Sequence, residues 1–235
     1  MEHPARQALK FLSPLKQWWR ERHRQWVFWR SIRAFARLPV GKDPSHALLQ
    51  RLISAWGNPS YAAPAEFLLA SLRHARTRDP ILECGSGLST ILLSIAAQKR
   101  GARVYTLEHD AAWAERVRGA LAARGVDNVE LCVGGLRRYD GFHWYEPPLE
   151  RMPRFALVIC DGPPGNTPGG RYGLLPVMRA HLEDGCTILL DDAHRAAERR
   201  IAQQWADELG SDVVFSSGQR AFATLVVPAD PSNSR

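Results

Sequence analysis

The amino-acid sequence predicts an α/β fold: a doubly wound, mostly parallel seven-stranded sheet with a terminal antiparallel hairpin, preceded by N-terminal helices. Three observations predict it. Short apolar runs alternate with helical patterns from Pro80 to Leu209, the order expected of a parallel sheet with helices on both faces. The first run passes through Gly85-Ser86-Gly87 straight into a helical pattern, a tight strand-to-helix turn. Two last strand-like runs flank Ser217-Gly218-Gln219-Arg220, a hairpin signal.

Residues 5–37 read as one or two basic, aromatic helices with Leu12, Leu15, Trp19, Trp26 and Trp29 near one helical line, ended by Pro39 and Gly41. A second helix covers 44–56, closed by Gly57-Asn58-Pro59, and a third covers 64–75. Strands follow at 81–84, 103–108, 129–133, 155–160 and 187–190, with helices at 89–99, 111–124, 172–182 and 193–209. The hairpin strands are 212–216 and 221–227. The chain thus divides into a basic aromatic helical region (1–59), a ligand-binding catalytic domain (60–228) and a polar tail (229–235) expected to be disordered.

Charge is distributed unevenly. The formal net charge is +7, and residues 1–40 carry nine Lys/Arg against two acids, so the arm holds the whole excess and the body sums to zero. An electrostatic partner is therefore expected on the arm. Two readings stand for it: packing against its own domain or a second copy as a homodimer, and peripheral contact with an anionic membrane, which interleaved Arg and Trp suit. Its longest wholly apolar run is Trp26-Val27-Phe28-Trp29, far below the ~20 residues of a spanning helix, and no secretory signal is visible. Cys84, Cys132, Cys160 and Cys186 lie in or beside apolar runs without metal spacing, which reads as reduced core thiols of a cytoplasmic protein.

Gly85, Ser86, Gly87, Ser89 and Thr90 place bare backbone N–H groups at a helix start, where a polar or anionic ligand is expected. Glu108 closes the second strand, about 20 residues on, where a carboxylate accepts hydrogen bonds from ribose hydroxyls; together these specify an adenosine-containing cofactor. Thr90 stands where a nicotinamide fingerprint has its third glycine, and Glu83 is placed to act on the amino group of a bound amino acid. Both details favour S-adenosylmethionine over NAD. The segment Glu83-Cys84-Gly85-Ser86-Gly87 resembles the first motif of the class I S-adenosylmethionine-dependent methyltransferases, Rossmann-like proteins, over roughly residues 60–228. That resemblance implies that the glycine turn meets the methionine part, Glu108 the ribose and His109 the adenine border, with Gly134 beside the adenine.

Asp161, Asp191 and Asp192 end the fourth and fifth strands at the carboxyl edge, where open α/β sheets bind ligands. They are expected either to bind Mg²⁺, which would acidify a substrate hydroxyl, or to serve as acid/base groups, and one of Asp191 and Asp192 is expected to cap the next helix. The trio resembles the catechol-type O-methyltransferases, whereas Gly162-Pro163-Pro164-Gly165 departs from them and looks like bacterial methyltransferases with an Asp-Gly-Pro-Pro-Gly segment. His194 is the candidate general base beside Asp161, and Arg171 and Tyr172, after the glycine-rich loop 165–171, are candidate acceptor-binding residues. Phe142, His143, Trp144 and Tyr145 in the insertion 139–153 suggest an aromatic wall. Gly165 stands where base-methylating enzymes carry a stacking aromatic, which disfavours nucleic acid. The function expected is S-adenosylmethionine-dependent O-methylation of a small-molecule or glycan hydroxyl. The alternatives are an NAD-dependent oxidoreductase and a catalytically silent binding module.

Overall fold

The computed structural model describes residues 4–58 and 61–229, with side chains from Lys16 onward. Its centre is a seven-stranded sheet in the order β3-β2-β1-β6-β7-β9-β8. Five strands, β3 (Val129–Val133), β2 (Val104–Glu108), β1 (Ile81–Cys84), β6 (Phe155–Cys160) and β7 (Leu182–Leu190), pair in parallel. The hairpin β8 (Val213–Phe215) and β9 (Ala223–Val226) closes the edge antiparallel on β7, as predicted. From β1 the chain winds outward through β2 and β3, then returns to place β6 on the other side of β1. The strand order reverses between β1 and β6, which opens a crevice above their carboxyl ends.

Both faces of the central strands are buried, so β6 is a continuous apolar run and β1 is interrupted only by the buried Glu83. Successive side chains enter different cores. Ile81, Leu157 and Ile159 pack with α2 (His46–Trp56), α3 (Ala65–His74) and α4 (Leu88–Gln98), while Leu82, Val158 and Cys160 pack with α6 (Leu174–Met178) and α7 (Ala196–Leu209). The first core also contains Phe28, Ile32 and Phe35 of α1 (Pro4–Ala36), so the division expected at residue 59 does not coincide with a break in packing.

Several expectations differ in detail. The buried line of α1 is Phe28-Ile32-Phe35, while Trp19 and Trp26 face outward; the Leu12 and Leu15 side chains, Pro59 and residues 230–235 lie outside the described residues. The helix expected at 172–182 is only α6 plus a 3-10 turn at Arg179–His181, and β7 begins at Leu182. The helix expected from 193 starts at Ala196, because residues 191–194 form a turn in which Asp192 takes φ 59°. Two short strands, β4 (Leu136–Arg138) and β5 (His143–Tyr145), form a separate hairpin inside the expected insertion. Three residues per strand are too few for a period-2 signal to register. Cys84, Cys160 and Cys186 are buried, Cys132 is half-buried, and all four are free thiols.

Candidate functional site

The turn after β1 is built by close backbone approach. Gly85 takes φ +89°, and a Cβ there would lie 3.1 Å from the Gly162 nitrogen of the turn after β6. A Cβ on Gly162 would in turn stand 2.3 Å from the Tyr145 hydroxyl. The Gly162-Pro163-Pro164-Gly165 segment thus brings one sheet-end turn against the other. Gly87, by contrast, has nothing within 4 Å of a Cβ and opens onto the crevice. Thr90 Oγ1 accepts from the Gly87 N–H (2.8 Å) and donates to Glu83 Oε2 (2.6 Å), which also accepts from Thr106 Oγ1 (3.0 Å). Glu83 and Thr90 are therefore struts behind the turn, outside the lining of the crevice. Burial pushes the Glu83 carboxyl up to about 7.

Glu108 ends β2 with both carboxylate oxygens engaged. Oε2 accepts from Ser86 N (3.0 Å) and Ser86 Oγ (2.7 Å), and Oε1 from the backbone of His109 (2.6 Å) and Asp110 (2.8 Å), with His109 Nδ1 at 3.0 Å. The side chain is buried yet lines the crevice, so its charge is held in place by fixed N–H donors. Asp110 caps α5 (Ala111–Ala122) through Trp113 N, and Trp113 Nε1 donates to the Ser86 carbonyl at 2.8 Å.

From this turn a cavity of about 730 Å³ runs to the ends of β6 and β7, where the carboxylates of Asp161, Asp191 and Asp192 have oxygens within 4.8 Å of one another. Like charges at that separation need a cation. The protein supplies one: Arg171, 3% exposed, donates from Nη2 to Asp161 Oδ1 (3.0 Å) and Asp192 Oδ2 (2.9 Å), and from Nη1 to the Asp191 carbonyl (2.7 Å). Arg195 (3.0 Å) and Arg220 (3.5 Å) flank Asp192 as well. Burial alone would depress the Arg171 guanidinium, and the surrounding carboxylates outweigh it and keep it charged. Burial and then Asp191 raise Asp161 well above the usual carboxylate range; burial and then Asp192 push Asp191 up to about 6. The oxygen donors are of the type that Mg²⁺ takes, but the Arg171 guanidinium already bridges the Asp161 and Asp192 carboxylates, and it meets Asp191 at the backbone carbonyl, so that Asp191 Oδ2 is buried without a hydrogen-bond partner among the described residues. Arg171 thus stands as a cation between Asp161 and Asp192, where a metal ion would have to sit.

A glycine turn at a helix start, a ribose-height carboxylate and an acidic far end joined by one cavity are the parts of a nucleoside-cofactor enzyme, and the sequence comparison decides which. Residues 82–193 match the family described as methyltransferase domain. Residues 82–193 form a methyltransferase domain. Its fold is shared with TomG, an O-methyltransferase from Streptomyces achromogenes involved in tomaymycin synthesis and solved in complex with SAM (22% identity, 83% of this chain, 95% of that one, TM-score 0.53). It is also shared with an O-methyltransferase from Bacillus cereus in complex with SAH (17% identity, 83% and 96%, TM-score 0.54). A precorrin-6y C5,15-methyltransferase from Geobacter metallireducens is similar too (15% identity, 73% and 92%, TM-score 0.56). No curated protein matches the sequence.

Within this methyltransferase, Gly85, Ser86, Gly87, Ser89, Glu108, His109, Asp161, Arg171, Asp191 and Asp192 all line the one cavity. Gly134 does not; it is exposed beside β2, its N–H donating to the Glu108 carbonyl at 3.0 Å. His194 is exposed and outside the lining, because α7 starts after the turn and the ring leaves the crevice. Neither Asp191 nor Asp192 caps α7, whose N-cap is Arg195; Asp191 Oδ1 instead accepts from Asp192 N (2.7 Å). Arg171 lines the cavity with both Nη atoms held by the acidic cluster. Tyr172 faces away, its hydroxyl donating to Glu208 (3.1 Å) and its ring edge-on to Phe142. Of the aromatic insertion only Tyr145 reaches the cavity, while Phe142 and Trp144 are buried beneath it. Sequence reasoning missed Trp56, Trp113, Arg195 and Arg220. Nothing local marks them, since each is an ordinary helix or loop residue that the fold brings in from elsewhere.

Proposed function

We propose that the methyltransferase acts on a hydroxyl oxygen of a small molecule or saccharide. The observation that carries the reading is the single cavity that joins the Glu108 end to the Asp161 and Asp191 end. Its volume, about 730 Å³, falls within the ~300–1,000 Å³ of small-molecule sites, room for a cofactor and a modest acceptor rather than a polymer. The Ser86 hydroxyl on Glu108 Oε2 stands as a ribose hydroxyl would, so rotation of Ser86 frees a ready acceptor for the sugar. The open flank of Gly87 leaves space for the methionine part. When bound, S-adenosylmethionine supplies an electrophilic methyl group on a sulfonium. At the far end Asp191, pushed up to about 6 and with Asp161 beside it, accepts the hydrogen bond and then the proton of the acceptor hydroxyl, as the hydroxyl oxygen takes the methyl group and the sulfur leaves as the thioether of S-adenosylhomocysteine. Arg171 keeps the pair together and needs no metal to do so. The neutral body gives no polyanion track, and the free thiols support a reducing, cytoplasmic compartment.

Calorimetry with S-adenosylhomocysteine and NAD, followed by transfer of labelled methyl to alcohol, phenol and amine panels in EDTA, tests the reading. The expected result is S-adenosylhomocysteine binding and labelled ethers. Label appearing only on nitrogen would overturn the oxygen assignment, and NAD binding alone would overturn the cofactor.

A further inference from the structure

The helix α1 presents two opposed faces. At about 100° per residue, Phe28, Ser31, Ile32 and Phe35 fall on one side, which is buried in the core. Trp19, Trp26, Arg30, Arg33 and Arg37 fall on the other, all exposed, with Trp18 and Arg22 on its flank. Trp18, Trp19 and Trp26 are 50%, 62% and 53% exposed, unusual for the largest apolar side chain. Arg22 lies 4.9 Å over the Trp18 ring and Arg30 5.1 Å over Trp26, so indoles and guanidinium groups form one mixed surface. Between residues 16 and 37 the one acid is Glu21, on the flank nearer the core, paired with Arg24. The outward stripe is therefore cationic without internal neutralisation.

We propose that this outward face of α1 docks on an anionic lipid surface, the helix lying in the headgroup plane. The contact with its own domain is already made by the opposite face, so that among the described residues the tryptophans meet only neighbours on their own helix and stay half or more exposed. A second copy is disfavoured by charge, because a two-fold pairing of this stripe would set Arg30, Arg33 and Arg37 against their own equivalents. Residues 1–40 hold the whole net charge of +7, so such a pair would repel beyond the contact as well. Anionic headgroups answer the arginines while the interfacial zone takes the indoles, a combination phosphate alone on a nucleic acid does not offer. No helix of the described residues is long and apolar enough to cross a membrane, which is compatible with a helix that lies on one. This inference is independent of the acceptor chemistry proposed above.

The test is co-sedimentation of the full-length chain with phosphatidylcholine vesicles and with vesicles that also contain phosphatidylglycerol. The four arginines Arg22, Arg30, Arg33 and Arg37 predict binding roughly 1,000-fold tighter to the anionic vesicles, weakened by salt. Combined Trp19→Ala and Trp26→Ala, and separately combined Arg30→Glu and Arg33→Glu, are expected to abolish it with melting temperature and S-adenosylhomocysteine binding unchanged. Equal binding to both vesicle types, or none, would overturn the proposal. So would a dimer that those variants dissociate, or tighter binding to an oligonucleotide than to the anionic vesicles.

Discussion

Replacing Arg171 by Met removes one charge and three hydrogen bonds from a site that is 97% shielded and keeps the side chain's bulk. What remains is a set of crowded carboxylates whose central cation has gone, a buried charge imbalance that costs about 3–5 kcal/mol. At about 2–4 °C per kcal/mol for a chain of this size, the melting temperature is expected to fall by roughly 6–20 °C at pH 8. The loss shrinks as the pH falls, because Asp161 and Asp191 already take protons more readily than ordinary carboxylates and become neutral. Arg171→Lys restores charge without the planar fork and is expected to recover only part of the loss. With the guanidinium gone, the three acids become a site that a hard cation can enter. Millimolar Mg²⁺ is therefore expected to raise the melting temperature of Arg171→Met while leaving the parent chain unmoved, and EDTA is expected to leave the parent's turnover intact. Scanning calorimetry with and without Mg²⁺ reads both. A parent chain stabilised by Mg²⁺ and silenced by EDTA would refute the reasoning that Arg171 fills the cation position.

Glu83, normally near 4.5 and raised to about 7 by burial, binds more protons folded than unfolded between those values, so its contribution to stability is present below about pH 4.5 and lost as pH rises through 7. The amount is about 3 kcal/mol, so Glu83→Gln is expected to match the parent near pH 4 and to melt higher at pH 8; a difference independent of pH in thermal scans would contradict this. Gly87→Ala meets open space and is expected to keep the melting temperature while weakening S-adenosylhomocysteine in titration calorimetry, whereas Gly85→Ala, at φ +89° and 3.1 Å from Gly162, is expected to lower both. His194→Ala, outside the cavity, is expected to leave kcat and its pH profile unchanged, and a loss of more than about tenfold would return a general-base role to it.

Local patterns carry local geometry, and these were legible in the residues alone. Apolar runs and helical periods predicted the parallel sheet and its closing hairpin, because burial of a face repeats with the period of the element. The spacing from Gly85 to Glu108 predicted the crevice wall, because a strand, a turn, a helix and the next strand have nearly set lengths. The ends of β6 and β7 predicted that Asp161, Asp191 and Asp192 converge. What surrounds them depends on contacts between distant segments. Arg171 lies 10 residues after Asp161 and 21 before Asp192, and it reads as a loop cation until the loop folds back between them. The turn through Asp192 carries His194 away from the cavity, and α2 brings Trp56 to it. The outward stripe of α1 is similar in kind: charge and tryptophan are visible in the order of residues, but which side of a helix meets its own core is settled by packing against α2, and packing is a property of the whole chain.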